Sequence, residues 1–69
     1  MSAFLTLTVN GDSHRALPGS IADFVRSLEL DPAKVAVEHN GEIAPRSQLG
    51  DIPLGDGDQL EIVHFVGGG

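Results

Sequence analysis

Two Asn-Gly dipeptides, Asn10-Gly11 and Asn40-Gly41, constrain this chain more than anything else in it. Each follows a run of alternating apolar and polar residues, and Asn-Gly in that setting is the strongest short-range hairpin signal. In "FLTLTV", Leu5, Leu7 and Val9 fall on one face and Phe4, Thr6 and Thr8 on the other, as in a half-buried strand. "SHRAL" is expected to return antiparallel, with Pro18-Gly19 closing the first hairpin. In "KVAVEH", Val35 and Val37 point inward, and a short "EIA" returns after the second turn. Pro45 has no N–H to give to a ladder, so that last piece is a stub or an edge strand.

Between the hairpins, Ser20 is a good helix N-cap, with Asp23 placed where an acid favours the helix N-terminus. Ile21, Phe24, Val25 and Leu28 share one helical stripe, leaving Ala22, Asp23, Arg26 and Ser27 toward water. Asp31-Pro32 stops the helix, and no second helix is expected. "RSQLGDIPLGDGD" reads as a connecting loop, with Leu49, Ile52 and Leu54 available to pack beneath it. "QLEIVHF" is the last strand, with Leu60 and Ile62 inward. Strands around one helix argue an α+β fold with the helix packed on one face of the sheet and the other face solvated. Sixty-nine residues allow one domain, and a chain this short buries only about 60% of its unfolded surface, so the core must be compact. There is no internal repeat.

Composition removes whole classes of function. With no cysteine, the chain has no disulfide, thiolate zinc site, iron–sulfur centre or cysteine nucleophile. Four Lys or Arg against ten Asp or Glu give a formal charge of −6, which repels phosphate and argues against nucleic acid. That acidity serves solubility or steers a basic partner, and composition does not separate the two. No apolar run is long enough to cross a membrane, and "MSAFLTLTVNG" lacks the pattern of a signal peptide, so a cytoplasmic location is expected. His14, His39 and His64 are isolated on separate elements, so no metal site is expected. Ser20 is better explained as a cap than as a nucleophile. Gly55 to Asp58 ("GDGD") lacks the spacing of a calcium loop and reads as a turn feeding the last strand. No phosphate-binding loop is present, and an enzyme is the least favoured class.

The C-terminal "VHFVGGG" remains. Alternation puts Glu61, Val63 and Phe65 opposite the inward Leu60 and Ile62, so two apolar residues sit on the solvated face beside the terminus. Gly67, Gly68 and Gly69 lack Cβ atoms and fit a channel too narrow for other residues. Extended, they reach about 10 Å beyond the sheet, carrying the Gly69 carboxylate. Taken alone, the three glycines favour a flexible tail or a cloning remnant over a functional end.

Across essentially its whole length the chain resembles the ubiquitin-like β-grasp sulfur carriers of the ThiS family. The resemblance is carried by "VNG", "SIADFVRSL", "VAVEHNGEIAPRS" and "LGDGDQLEIVHFVGGG". It implies a β-grasp domain over residues 1–66, with a mixed four- to five-stranded sheet whose last strand lies centrally and parallel to the first. It also implies a flexible glycine tail over 67–69. In such carriers a ThiF-like adenylyltransferase uses ATP to adenylate the terminal carboxylate, here Gly69. A sulfur donor, such as a cysteine desulfurase or a rhodanese-like protein, converts it to a thiocarboxylate, and a ThiG-like thiazole synthase takes the sulfur. Gly68 and Gly67 would supply clearance, Val63 and Phe65 would dock partners, and the carrier would bind no cofactor and be monomeric when free. The alternatives are a molybdopterin synthase small subunit, although "VHFVGGG" lacks the prolines common there, a ubiquitin-like modifier, and a non-catalytic β-grasp interaction module.

Overall fold

The structure, a computed structural model, describes residues 3–65. Strands β1 (Leu5–Val9) and β2 (Asp12–Ala16) form the first hairpin, and β3 (Val35–His39) and β4 (Glu42–Ala44) the second. Helix α1 (Ile21–Ser27) lies between them in sequence, and β5 (Gln59–His64) comes last. Both Asn-Gly turns have positive φ at both residues, 50° and 86° in the first and 51° and 85° in the second. That is the signature of the type I′ turn, whose twist matches the flanking strands. Asn tolerates this region because its short polar side chain bonds locally, and Gly enters it without penalty.

The sheet order is β2-β1-β5-β3-β4, so β5 lies between the two hairpins, parallel to β1 and antiparallel to β3. This is the mixed five-stranded sheet with one helix on one face, a β-grasp. One face carries Leu7, Val9, Val35, Val37, Leu60 and Ile62, all buried against Ile21, Phe24 and Val25 of α1 and Leu49. β4 is a three-residue edge strand that stops at Pro45, as the missing N–H requires.

The parallel β1–β5 ladder is short in backbone terms, and side chains lengthen it at both ends. Thr8 and Asn10 donate their N–H groups to the carbonyls of Asp58 and Leu60, at 2.9 Å each. Beyond them β1 turns away, and the Asn10 carboxamide takes its place. Its Oδ1 accepts the Ile62 N–H at 2.8 Å, and its Nδ2 donates to the Ile62 carbonyl at 3.1 Å. At the other end Asp56 Oδ1 accepts the Thr6 N–H at 2.7 Å, while the Gly57 N–H returns to the Thr6 carbonyl. "GDGD" is thus the expected turn into β5, and its Asp56 also continues a ladder that the backbone alone leaves open.

Helix α1 begins in a capping box. Ser20 Oγ accepts the Asp23 N–H, and the Asp23 carboxylate accepts the Ser20 N–H. Two expectations for this helix are corrected. Ala22, expected toward water, is 3% exposed, because the loop after β4 crosses the first turn of α1. There Leu49 and Ile52 offer their carbonyls to the N–H groups of Ala22 and Ile21, which have no partner inside the helix. The helix also stops before Asp31-Pro32. Glu29 adopts φ 62°, its N–H reaches the Arg26 carbonyl, and the Leu30 N–H reaches that of Val25, a Schellman ending. Asp31 instead caps a 3₁₀ turn, Pro32–Lys34, by accepting the Ala33 N–H. A second 3₁₀ turn, Arg46–Gln48, lies within the expected connecting loop. No helix among the described residues is long and apolar enough to cross a membrane.

Candidate functional site

The outer face of the sheet at the C-terminal end of β5 carries the candidate site. Pairing of β5 with β3 sets Val63 opposite Ala36 and Glu61 opposite Glu38. Because Leu60 and Ile62 fill the core, the alternating positions Glu61, Val63 and Phe65 face outward. Val63 is 59% exposed and Phe65 45%, so both lie where the alternation of the last strand puts them. Ile43 of β4, 80% exposed, joins them. Its outward direction follows from Ala44 being buried next to it, and the sequence reading left it unassigned. Ala36, Val37, Glu38, Ile43, Glu61 and Val63 line a shallow depression of about 250 Å³. Expected residues 67–69, and so Gly67, Gly68 and Gly69, lie outside the described residues, as does the boundary expected after residue 66.

Two carboxylates, Glu38 and Glu61, border the apolar patch, and among the described residues neither forms an ion pair within 4.0 Å. Glu38 and Glu61 are cross-strand partners, and like charges placed directly opposite one another repel. A hydrogen bond with Glu61, and then the charge of Glu61, push the Glu38 carboxyl above its ordinary pKa.

Phe65 is held from two sides. Its N–H donates to the Lys34 carbonyl at 2.8 Å, extending the β3–β5 ladder by one residue. The Arg46 guanidinium lies over its ring, with Cζ 5.6 Å from the centroid, and Arg46 Nη1 donates to the Ala33 carbonyl at 3.1 Å. This contact joins both 3₁₀ turns to the end of β5, and no spacing in the sequence announces it.

The three histidines go to three separate places. His14 packs edge-on against Phe24, with ring centroids 6.2 Å apart, and His64 is exposed at the end of β5. His39 Nε2 lies 2.8 Å from Asp58 Oδ2. Asp58, with its side chain 15% exposed, also accepts from the Gly55 N–H and from Asn40 Nδ2. Burial pushes this carboxyl up, but the bonds from His39, Gly55 and Asn40 outweigh it and hold its pKa below the usual carboxylate value. Asn40 Oδ1 in turn accepts the Gln59 N–H, so each Asn-Gly turn clips β5 from its own side. Among the described residues no group of three or more His, Asp or Glu is arranged to hold a metal ion.

Comparison with known proteins gives a consistent picture. The ThiS family model matches residues 7–69. The sulfur carrier protein ThiS of Bacillus subtilis is 45% identical over 51 residues, which cover 74% of this chain and 77% of that one. A thiazole synthase of Paramagnetospirillum magneticum is 39% identical over 66 residues, 94% of this chain. This chain spans only 20% of that relative's length. The crystal structure of the thiamine biosynthesis protein ThiS from Geobacter metallireducens aligns with a TM-score of 0.77 at 32% identity, covering 94% of this chain and all of that one.

Proposed function

The chain belongs to the ThiS family, and from that premise we propose that it is a sulfur carrier for thiazole formation in thiamin biosynthesis. The observation that carries the reading is the family match itself, which runs through the last strand to residue 69 and so includes the three glycines. A carboxylate is a poor electrophile and needs activation before sulfur can replace its oxygen. In this reading an oxygen of the Gly69 carboxylate attacks the α-phosphorus of ATP on a ThiF-like adenylyltransferase, and pyrophosphate leaves. The terminal sulfur of a persulfide on a cysteine desulfurase or rhodanese-like donor then displaces AMP to give an acyl disulfide, and a further thiol attacks the donor's cysteine sulfur, forming a disulfide with it and releasing the thiocarboxylate. A ThiG-like thiazole synthase takes the sulfur, and similarity to part of a thiazole synthase supports that partner. The chain is the substrate of these enzymes rather than a catalyst, and ATP belongs to the activating partner. Gly67 and Gly68 supply the clearance that a narrow active site requires, since a Cβ at either would widen the segment. Val63 and Phe65, exposed beside this segment, form the apolar part of the docking surface.

Intact mass measured after incubation with ATP, the activating enzyme and a sulfur donor tests the proposal. The expected change is one oxygen replaced by sulfur at the C-terminus, lost when Gly68 and Gly69 are removed. Thiazole formation supported by the truncated chain would overturn it. Transfer to a molybdopterin precursor instead would move the carrier to the other pathway, and lysine-linked adducts would make it a modifier.

A further inference from the structure

We propose that Arg46 is a positioning residue that fixes the end of β5 from which the carboxylate-bearing segment departs; this rests on the carrier reading above. Arg46 stands on a rigid base. Pro45 precedes it, the Gln48 N–H closes its 3₁₀ turn on the Pro45 carbonyl at 2.8 Å, and buried Ala44 and Leu49 anchor the chain on either side. The far end of its side chain is fixed as well, by the bond from Nη1 to the Ala33 carbonyl. Ala33 lies in the other 3₁₀ turn, which the Asp31 carboxylate caps. Phe65 therefore meets a guanidinium that is held in place at both ends.

The charges around Arg46 point the same way. The chain has four cations, and among the described residues Arg46 forms no ion pair with a carboxylate within 4.0 Å. Its planar group is instead used against a carbonyl and an aromatic face, a combination that a lysine ammonium reproduces only in part. Without this cap, Phe65 is tied to the sheet, among the described residues, by one backbone bond, from its N–H to the Lys34 carbonyl. Ladder ends open readily, and a ring free to turn about its χ1 lets the chain leave the sheet in many directions. With the cap, backbone and ring are fixed together, while the rest of the ring remains available to a partner. Reaction within a partner's channel depends on how often the carboxylate arrives in a productive geometry, so a fixed departure point raises turnover rather than affinity.

The test uses Arg46→Ala, Arg46→Lys and Phe65→Leu in the full chain, with two readouts. Amide hydrogen exchange of Phe65 is expected to quicken roughly two- to five-fold in Arg46→Ala, the range of an exposed cation–π contact, with Arg46→Lys intermediate. The amides of Leu7, Val37 and Leu60 are expected to keep their protection. In adenylation by the activating enzyme, kcat is expected to fall by a similar factor while KM for the carrier changes little. Adding Arg46→Ala to Phe65→Leu is expected to quicken amide exchange at position 65 no further than Phe65→Leu alone. Unchanged Phe65 exchange in Arg46→Ala would overturn the proposal. A rise in KM with kcat intact would also overturn it, making Arg46 a partner contact. If Arg46→Ala fails to fold, Arg46→Lys decides by the same two readouts. If the wild-type chain is not adenylated at all, the carrier reading falls, and the exchange result still judges the contact.

Discussion

Replacing Asn10 by glycine isolates the work of its side chain, because glycine takes the same φ of 50° without strain. The substitution removes both bonds to the Ile62 peptide group, 2.8 Å and 3.1 Å long. Each such bond contributes a net ~0.5–1.5 kcal/mol. The greater freedom of glycine in the unfolded chain adds about 0.5 kcal/mol. The sum centres on about 2.5 kcal/mol, and in a domain of this size that lowers Tm by roughly 10–20 °C. Urea denaturation followed by circular dichroism gives the free energy, and the slope with urea should not change if the folded state keeps its compactness. Amide exchange gives the location, with Ile62 expected to lose protection before any other residue of β5. A loss under about 0.5 kcal/mol, with Ile62 still protected, would refute the idea that the carboxamide stands in for a missing stretch of β1.

Three further outcomes are expected. Phe65→Asp should weaken binding to the activating enzyme or the synthase, measurable by calorimetry, at a stability cost of about 1 kcal/mol or less because the ring is half exposed; gross unfolding would show that the ring belongs to the core. Asp58→Ala should cost about 1–2 kcal/mol, since it strips the acceptor from His39, Asn40 and the Gly55 N–H. As the folded state lowers the Asp58 pKa, its contribution is complete above the unfolded value of about 3.9 and is lost as pH falls through the lower folded value. Acid titrations of wild type and Asp58→Ala should therefore converge at low pH. Glu38→Gln should raise Tm at neutral pH by relieving repulsion from Glu61; the raised pKa of Glu38 means the repulsion fades as pH falls, so the gain should shrink in acid.

Much of the fold is legible where its chemistry is local. Asn10-Gly11 and Asn40-Gly41 specify their turns within a few residues, and the alternations beside them assign Leu7, Val9, Val35 and Val37 to the core. The exposure of Val63 and Phe65 follows from the same period of two. The central, parallel place of β5 does not, because nothing in its own alternation says which strands flank it, and the family resemblance supplied that arrangement. Helical periodicity misplaces Ala22 for a comparable reason, since it cannot know that Leu49 and Ile52 will cross the first turn. The helix end is mistaken because Glu29 enters a backbone region usually left to glycine. At the candidate site, the Arg46–Phe65 contact and the second role of Asn10 depend on segments far apart in the chain. Only the assembled sheet brings them together.

The sheet order has a consequence for how the chain reaches its folded state. Neither hairpin is a neighbour of the other in the sheet, and both are joined only through β5. A lone two-stranded hairpin is marginal in water. Until the last strand slides between them, the two halves have little to gain from each other, and closing that gap requires residues some fifty positions apart to meet. Folding is therefore expected to be a single concerted event limited by a long-range search, with no stable half-molecule along the way. By the same logic a chain ending at Leu54 should be weakly structured. Adding a peptide spanning Gly55 to Phe65 to that truncated chain should restore the sheet, as a wedge closes an arch.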